Sequence, residues 1–182
     1  MRLFVSVDLD GLAGGVAEAQ APFHGLSGLT CTDPAQAHVT MKFLGEGDHD
    51  LDAVAEAVGR AVGAADVGPF DARFEGLGVF PSAEYISVVW LGVETGSERL
   101  TALQAALETE TTALGYEPEA HEFTPHVTLA RMRNAAAKEA VQEAVRSRHP
   151  EVGTRTVEEL RLTESTLTPS GPEYETLERF GL

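Results

Sequence analysis

The sequence predicts an α+β fold with antiparallel sheets and flanking helices, arranged as two lobes around a central cleft. Three observations carry the prediction. Short strand-like segments joined by turn signals are interrupted by lone amphipathic helices, which differs from the regular alternation of a doubly wound parallel sheet. A single pattern occurs twice, as His38-Val39-Thr40-Met41 in the run HVTMKFLG and as His126-Val127-Thr128-Leu129 in the run HVTLAR. The chain has 182 residues, 43% of them hydrophobic, enough to bury a core within one domain spanning 1–182.

Residues 2 to 9 alternate, with Leu3, Val5 and Val7 on one face and Phe4, Ser6 and Asp8 on the other, as an opening strand closed by Asp10-Gly11. From 11 to 36, Leu12, Val16 and Ala19 admit a short helix, while Pro22, Gly25, Gly28 and Pro34 break the region into loop. The first motif strand runs from about 37 to 44 and stops at Gly45. Leu51, Val54, Ala55, Val58, Ala61 and Val62 recur at helical spacing over 49 to 64, with Asp48 or Asp50 placed as a cap. Strands are expected at 70 to 79 and 85 to 93, then a helix with Ser97 as cap, a Leu100, Leu103, Leu107 and Leu114 stripe, and Gly115 as a left-handed stop. The second motif strand covers about 124 to 131 and is followed by a helix from Asn134 to near Arg148. Two closing strands, near 155 to 166 and 173 to 180, flank the turn signal Thr168-Pro169-Ser170-Gly171-Pro172.

The formal charge is −16, from 29 acidic and 13 basic residues, and only Lys42 and Lys138 are lysines. The acids are scattered along the chain. That distribution fits a surface adapted to a salty cytoplasm better than a cation site or a device for repelling nucleic acid, because at molar salt the screening length is about 3 Å and self-repulsion is weak. Cys31 stands alone, so no intramolecular disulfide is available and a reducing cytoplasm is the expected compartment. No apolar run is long enough for a membrane span, and the N-terminus lacks the pattern of an export signal. A monomer is expected.

Residues two apart in a strand share a face, so each motif points a histidine and a threonine one way and its apolar residues the other. Two histidines facing one cavity suffice for in-line displacement at phosphorus: one takes a proton from the attacking water while the other gives one to the leaving oxygen. The Thr40 and Thr128 hydroxyls can hold non-bridging phosphate oxygens. No metal or other cofactor is expected, since each motif supplies only one imidazole and no carboxylate or thiol. A serine-hydrolase elbow of the G-x-S-x-G type is absent. The remaining histidines, His24, His49, His121 and His149, are read as structural, His121 being the one nearest a substrate role. Arg131 is a candidate phosphate ligand, although its odd offset from His126 puts it on the wrong face unless the strand bends. Lys42 has the favourable parity with His38 and Thr40 and is a second candidate. At the offset of Arg131 the first motif has Phe43.

The ordered set of HVTMKFLG and FTPHVTLAR, with RLFVSVDL, GLGVFPS, VVWLGV and the ending LTESTLTPSGPEYETLERFGL, resembles the 2H phosphoesterase superfamily over nearly the whole chain. Within it the likeness is to the RNA 2',3'-cyclic phosphodiesterases, also called 2'-5' RNA ligases. The resemblance implies a bilobal fold with a pseudo-twofold axis and hydrolysis of a terminal 2',3'-cyclic phosphate to a 2'-phosphate. It further implies His38 as general acid to the 3' oxygen, His126 as general base to water, and joining of tRNA halves in the reverse direction. Small cyclic nucleotides such as an ADP-ribose cyclic phosphate are an alternative substrate class, and a non-catalytic nucleotide or RNA binder is a third reading.

Overall fold

The computed structural model describes all 182 residues. In chain order the elements are β1 (Arg2–Asp8), α1 (Ala13–Gln20), β2 (Leu29–Cys31), β3 (His38–Glu46), α2 (Leu51–Ala65), β4 (Phe70–Pro81), β5 (Ile86–Thr95), α3 (Ser97–Ala113), β6 (His126–Met132), α4 (Lys138–Ser147), β7 (Glu151–Val157), β8 (Glu159–Thr168) and β9 (Gly171–Gly181). The strands form an antiparallel sheet in the order β7-β4-β5-β6-β3-β1-β8-β9, with β2 added beside β6. Its middle is its weakest seam. The two motif strands, β3 and β6, meet at the single pair Val39 and Val127, so the two expected sheets are a five-stranded half (β7-β4-β5-β6 with β2) and a four-stranded half (β3-β1-β8-β9) hinged at the motifs.

Alternation builds each half. Leu3, Val5 and Val7 of β1 are buried in the main core with Val39, Met41, Val127 and Leu129, while Phe4, Ser6 and Asp8 take the other face. The same core holds Val54, Val58 and Ala61 of α2 and Leu100, Leu103 and Leu107 of α3. Each fully buried leucine contributes about 1.5–3 kcal/mol of transfer free energy. Asp50 caps α2, its carboxylate accepting from the Ala53 amide at 3.1 Å, and Gly115 is left-handed at φ +97° just past α3. A smaller cluster, with Val141 and Ala144 of α4 against Val89, Ala130 and Phe23, supports the far end of β6.

Three sequence expectations need correction. The first closing strand is two strands: β7 pairs with β4 in one half, and after Glu158 the chain enters β8, which pairs with β1 in the other. The helix expected from Asn134 starts at Lys138, because the Asn134 side chain accepts from the Ala136 amide at 3.0 Å in a turn of its own. Ser97 does not cap α3. Gly96 at φ +90° occupies the cap position, and no side-chain bond is made there.

The feature that matters most for the site is a matched pair of bulges. Opposite β1, Thr40 pairs with Ser6 and Lys42 with Val5, which leaves Met41 as an extra residue. Opposite β5, Thr128 pairs with Trp90 and Ala130 with Val89, which leaves Leu129 extra. One extra residue reverses the alternation beyond it. Lys42 and Ala130 therefore turn into the protein, whereas Phe43 and Arg131 turn out.

Candidate active site

The register of the Val39 and Val127 pair runs His38 toward Thr128 and Thr40 toward His126, on the face away from the core. Both imidazoles are held alike. His38 Nδ1 lies 2.9 Å from the Gln36 carbonyl, and His126 Nδ1 lies 2.7 Å from the Thr124 carbonyl, in each case two residues upstream. A carbonyl only accepts, so Nδ1 carries the hydrogen in both rings and Nε2 is the nitrogen left for chemistry. In the first motif Nε2 is 3.1 Å from the Thr40 hydroxyl.

Aromatic walls fix the ring planes. Phe4 stacks on His38 at 4.9 Å between centroids, and Tyr174 of β9 meets it edge-on at 5.3 Å. Phe80 of β4 meets His126 edge-on at 4.8 Å, with Trp90 of β5 at 6.0 Å. Each half of the sheet thus supplies two aromatic side chains to its own histidine. Trp90 lies across Gly78, where a Cβ would fall 2.2 Å from the indole ring, so only glycine leaves the indole its place. None of these four aromatics is singled out by local sequence. Phe4 carries the one usable signal, since it shares a strand face with Ser6 and Asp8.

Burial lowers the pKa of both histidines from the ordinary value, and the Arg131 guanidinium adds to the effect in each. The two then diverge. His38 has Asp8 opposite it on β1, a carboxylate that favours its charged form, while His126 has no such partner and is further lowered by His38. Asp8 is itself held by the Ser6 hydroxyl at 2.6 Å and by Arg161 at 2.8 Å, and Arg161 is in turn gripped by Asp10 and Glu159.

Of the six candidate residues, five come together. His38, Thr40, His126 and Thr128 surround the hinge pair, and the Leu129 bulge turns Arg131 to their side, where its charge acts on His38, His126 and Tyr174. Arg131 makes no ion pair with a carboxylate, in contrast to Arg60, Arg73, Arg146, Arg155, Arg161 and Arg179. Lys42 is not in the cleft. The Met41 bulge reverses its expected parity and leaves it 1% exposed, with its amine 3.1 Å from Glu108 and 2.7 Å from the Glu117 carbonyl. His49 is structural, bonded to the Tyr116 hydroxyl at 2.7 Å and the Gly45 carbonyl at 3.0 Å. Two imidazoles anchored through Nδ1, with Nε2 on the cleft side and that of His38 against the Thr40 hydroxyl, together with the Thr128 hydroxyl and an unpaired guanidinium form a set suited to proton transfer around a phosphate.

The sequence model of the 2'-5' RNA ligase superfamily matches residues 13–168. The chain belongs to this superfamily. Within the 2'-5' RNA ligase superfamily, an RNA 2',3'-cyclic phosphodiesterase of Methanothermobacter thermautotrophicus is 34% identical over 100% of this chain and 99% of its own. One of Aeropyrum pernix is 37% identical over 77% of this chain and 78% of its own. Among solved structures, TT0787 of Thermus thermophilus superposes with a TM-score of 0.80 at 30% identity, covering 100% of this chain and 98% of that one. The fold expected from the 2H phosphoesterase resemblance is thus the fold of this superfamily member.

Proposed function

We propose that the chain hydrolyses a terminal 2',3'-cyclic phosphate of RNA to a 2'-phosphate without a metal, His126 acting as base and His38 as acid. The observation that carries this reading is the matched anchoring of both Nδ1 atoms, which leaves two Nε2 atoms for one cleft. His126 Nε2 takes a proton from water as the water oxygen bonds to phosphorus. The bond from phosphorus to O3' breaks, and His38 Nε2 delivers its proton to that oxygen. Thr40, Thr128 and Arg131 hold the non-bridging oxygens as charge builds on them. Asp8 beside His38, with no carboxylate beside His126, favours this division of roles over the reverse one. The same steps with a 5'-hydroxyl in place of water, its oxygen bonding to phosphorus as the bond to O3' breaks, give 2'-5' ligation, which needs a second RNA end held in position to compete with water. The relatives named RNA 2',3'-cyclic phosphodiesterase support the substrate class.

The test is incubation of a 2',3'-cyclic-ended oligonucleotide in high salt with EDTA, comparing wild type with His38→Ala and His126→Ala. Each substitution is expected to lower the rate by about 10²–10⁴-fold, and the product should bear a 2'-phosphate. Full activity in either variant, or its abolition by EDTA, excludes the two-histidine mechanism. Preference for a small cyclic nucleotide over the oligonucleotide would keep the mechanism and reassign the substrate.

A further inference from the structure

At the Leu129 bulge, the carbonyl on the β2 side of β6 gathers several donors. The Leu129 carbonyl accepts from the Thr32 amide at 2.9 Å and from the Gln20 side-chain amide at 3.0 Å. One residue earlier, the Thr128 carbonyl accepts from the Thr32 hydroxyl at 2.9 Å. Gln20 also donates to the Thr32 carbonyl at 2.8 Å and reaches the Thr32 hydroxyl at 3.1 Å, so the two side chains form one clamp. Gln20 is the last residue of α1 and fully buried, and its Oε1 has no partner. Turning the amide over would set that oxygen against carbonyl oxygens, so the network fixes which end faces the bulge. A buried glutamine with one orphaned end is a poor way to stabilise a core. Its NH2 group is positioned to bridge the Leu129 carbonyl at the bulge and the Thr32 carbonyl beside it.

We infer that Gln20 and Thr32 are positioning residues that lock the Leu129 bulge and so hold Arg131 on the catalytic face. The inference rests on the reading above in which Arg131 meets the phosphate, and it adds the device that aims it. Without the bulge, regular alternation returns Arg131 to the far face and sends Ala130 toward the histidines. The first motif has a bulge of the same kind at Met41, where the residue turned outward is Phe43, so the clamp serves the half that carries the guanidinium. Neither Gln20 nor Thr32 touches the imidazoles. Their effect passes through the backbone of β6.

The experiment is NMR titration of the two histidines in the substrate-free protein, since the Arg131 charge lowers both midpoints. Asp8 and Tyr174 also face His38, but the clamp does not contact them. Gln20→Leu and Thr32→Val should each raise both midpoints in the direction of Arg131→Ala, and adding Arg131→Ala to either should raise them no further than Arg131→Ala alone. Thr32→Ser keeps the hydroxyl and should titrate as wild type. If Gln20→Leu fails to fold, the near-isosteric Thr32→Val and Thr32→Ser pair carries the test. Midpoints unchanged in the folded variants, or shifts that add to that of Arg131→Ala, overturn the clamp. The phosphate role is scored separately: Arg131→Ala should raise KM for a cyclic-ended dinucleotide about tenfold or more. An unchanged KM with shifted midpoints would remove Arg131 from the phosphate and leave the clamp standing.

Discussion

Both histidines keep the same tautomer and have pKa values lowered by burial, yet only His38 has a carboxylate beside it. The proposed mechanism needs His126 neutral and His38 protonated, so kcat/KM should be bell-shaped in pH, and in the free enzyme both limbs should lie on the acid side of the ordinary histidine value of about 6.5. Burial lowers both groups, so neither limb is expected above that value. The two midpoints belong to the coupled pair. Midpoints both above it would show that burial does not dominate. The same shifts have a sign for folding. Lowered histidine pKa values mean the unfolded chain binds more protons between the folded and ordinary values, so stability falls as pH drops through that window. A second residue-scale expectation concerns Gly78. Gly78→Ala puts a methyl group into the Trp90 ring and must displace the indole from beside His126. Turnover should fall with the chain still folded, as checked by circular dichroism beside a rate assay. Wild-type turnover would show that the indole has no part in holding His126.

At the scale of elements, the two motif strands were legible because strand periodicity needs only local sequence. The bulges were not. Met41 and Leu129 look like ordinary core residues, and nothing short of the partner strand shows that they are unpaired. The bulge at Leu129 supplies the bend on which the candidacy of Arg131 depends, and the bulge at Met41 takes Lys42 out of the cleft against the expected parity. A trace of the bulge does exist in Leu129-Ala130, two consecutive buried residues where alternation allows one. The split of the C-terminal strands and the aromatic walls also depend on pairings far apart in sequence, beyond what periodicity can reveal. The placement of Lys42 yields a prediction of its own. Its amine ties β3 to α3 and to the segment after it, through Glu108, Glu119 and the Glu117 carbonyl. Lys42→Met should lower folding stability by about 2–4 kcal/mol, since it strands the partly buried Glu108, while KM for a cyclic-ended dinucleotide stays at the wild-type value. Denaturant titration and kinetics on one preparation check this, and a raised KM at unchanged stability would return Lys42 to the substrate.

For the molecule as a whole, the charge of −16 is not spread evenly. Segments 19–32, 34–45, 76–83, 85–93 and 123–138 contain no Asp or Glu, and they supply β2, nearly all of β3, both arms of the β4–β5 hairpin beside the cleft, and β6. The motif strands are therefore nearly free of acids, Asp8 of β1 being the carboxylate beside His38. Under the proposed function, a polyanionic substrate meets long-range repulsion from the body of the protein and short-range attraction from Arg131 and the hydrogen-bonding groups. Salt acts on these unequally, because the Debye length shrinks from about 30 Å at 0.01 M to about 3 Å at 1 M while contacts within hydrogen-bonding distance persist. Raising KCl should thus increase kcat/KM for a cyclic-ended oligonucleotide, the opposite of the loss expected where binding is driven by counterion release. A 20-mer should gain more than a dinucleotide, since it carries more phosphates into the repulsive field, and the two should converge near molar salt. A kcat/KM that falls steeply with salt for the 20-mer would place a basic RNA track on this surface and refute the net repulsion argued from the charge of −16.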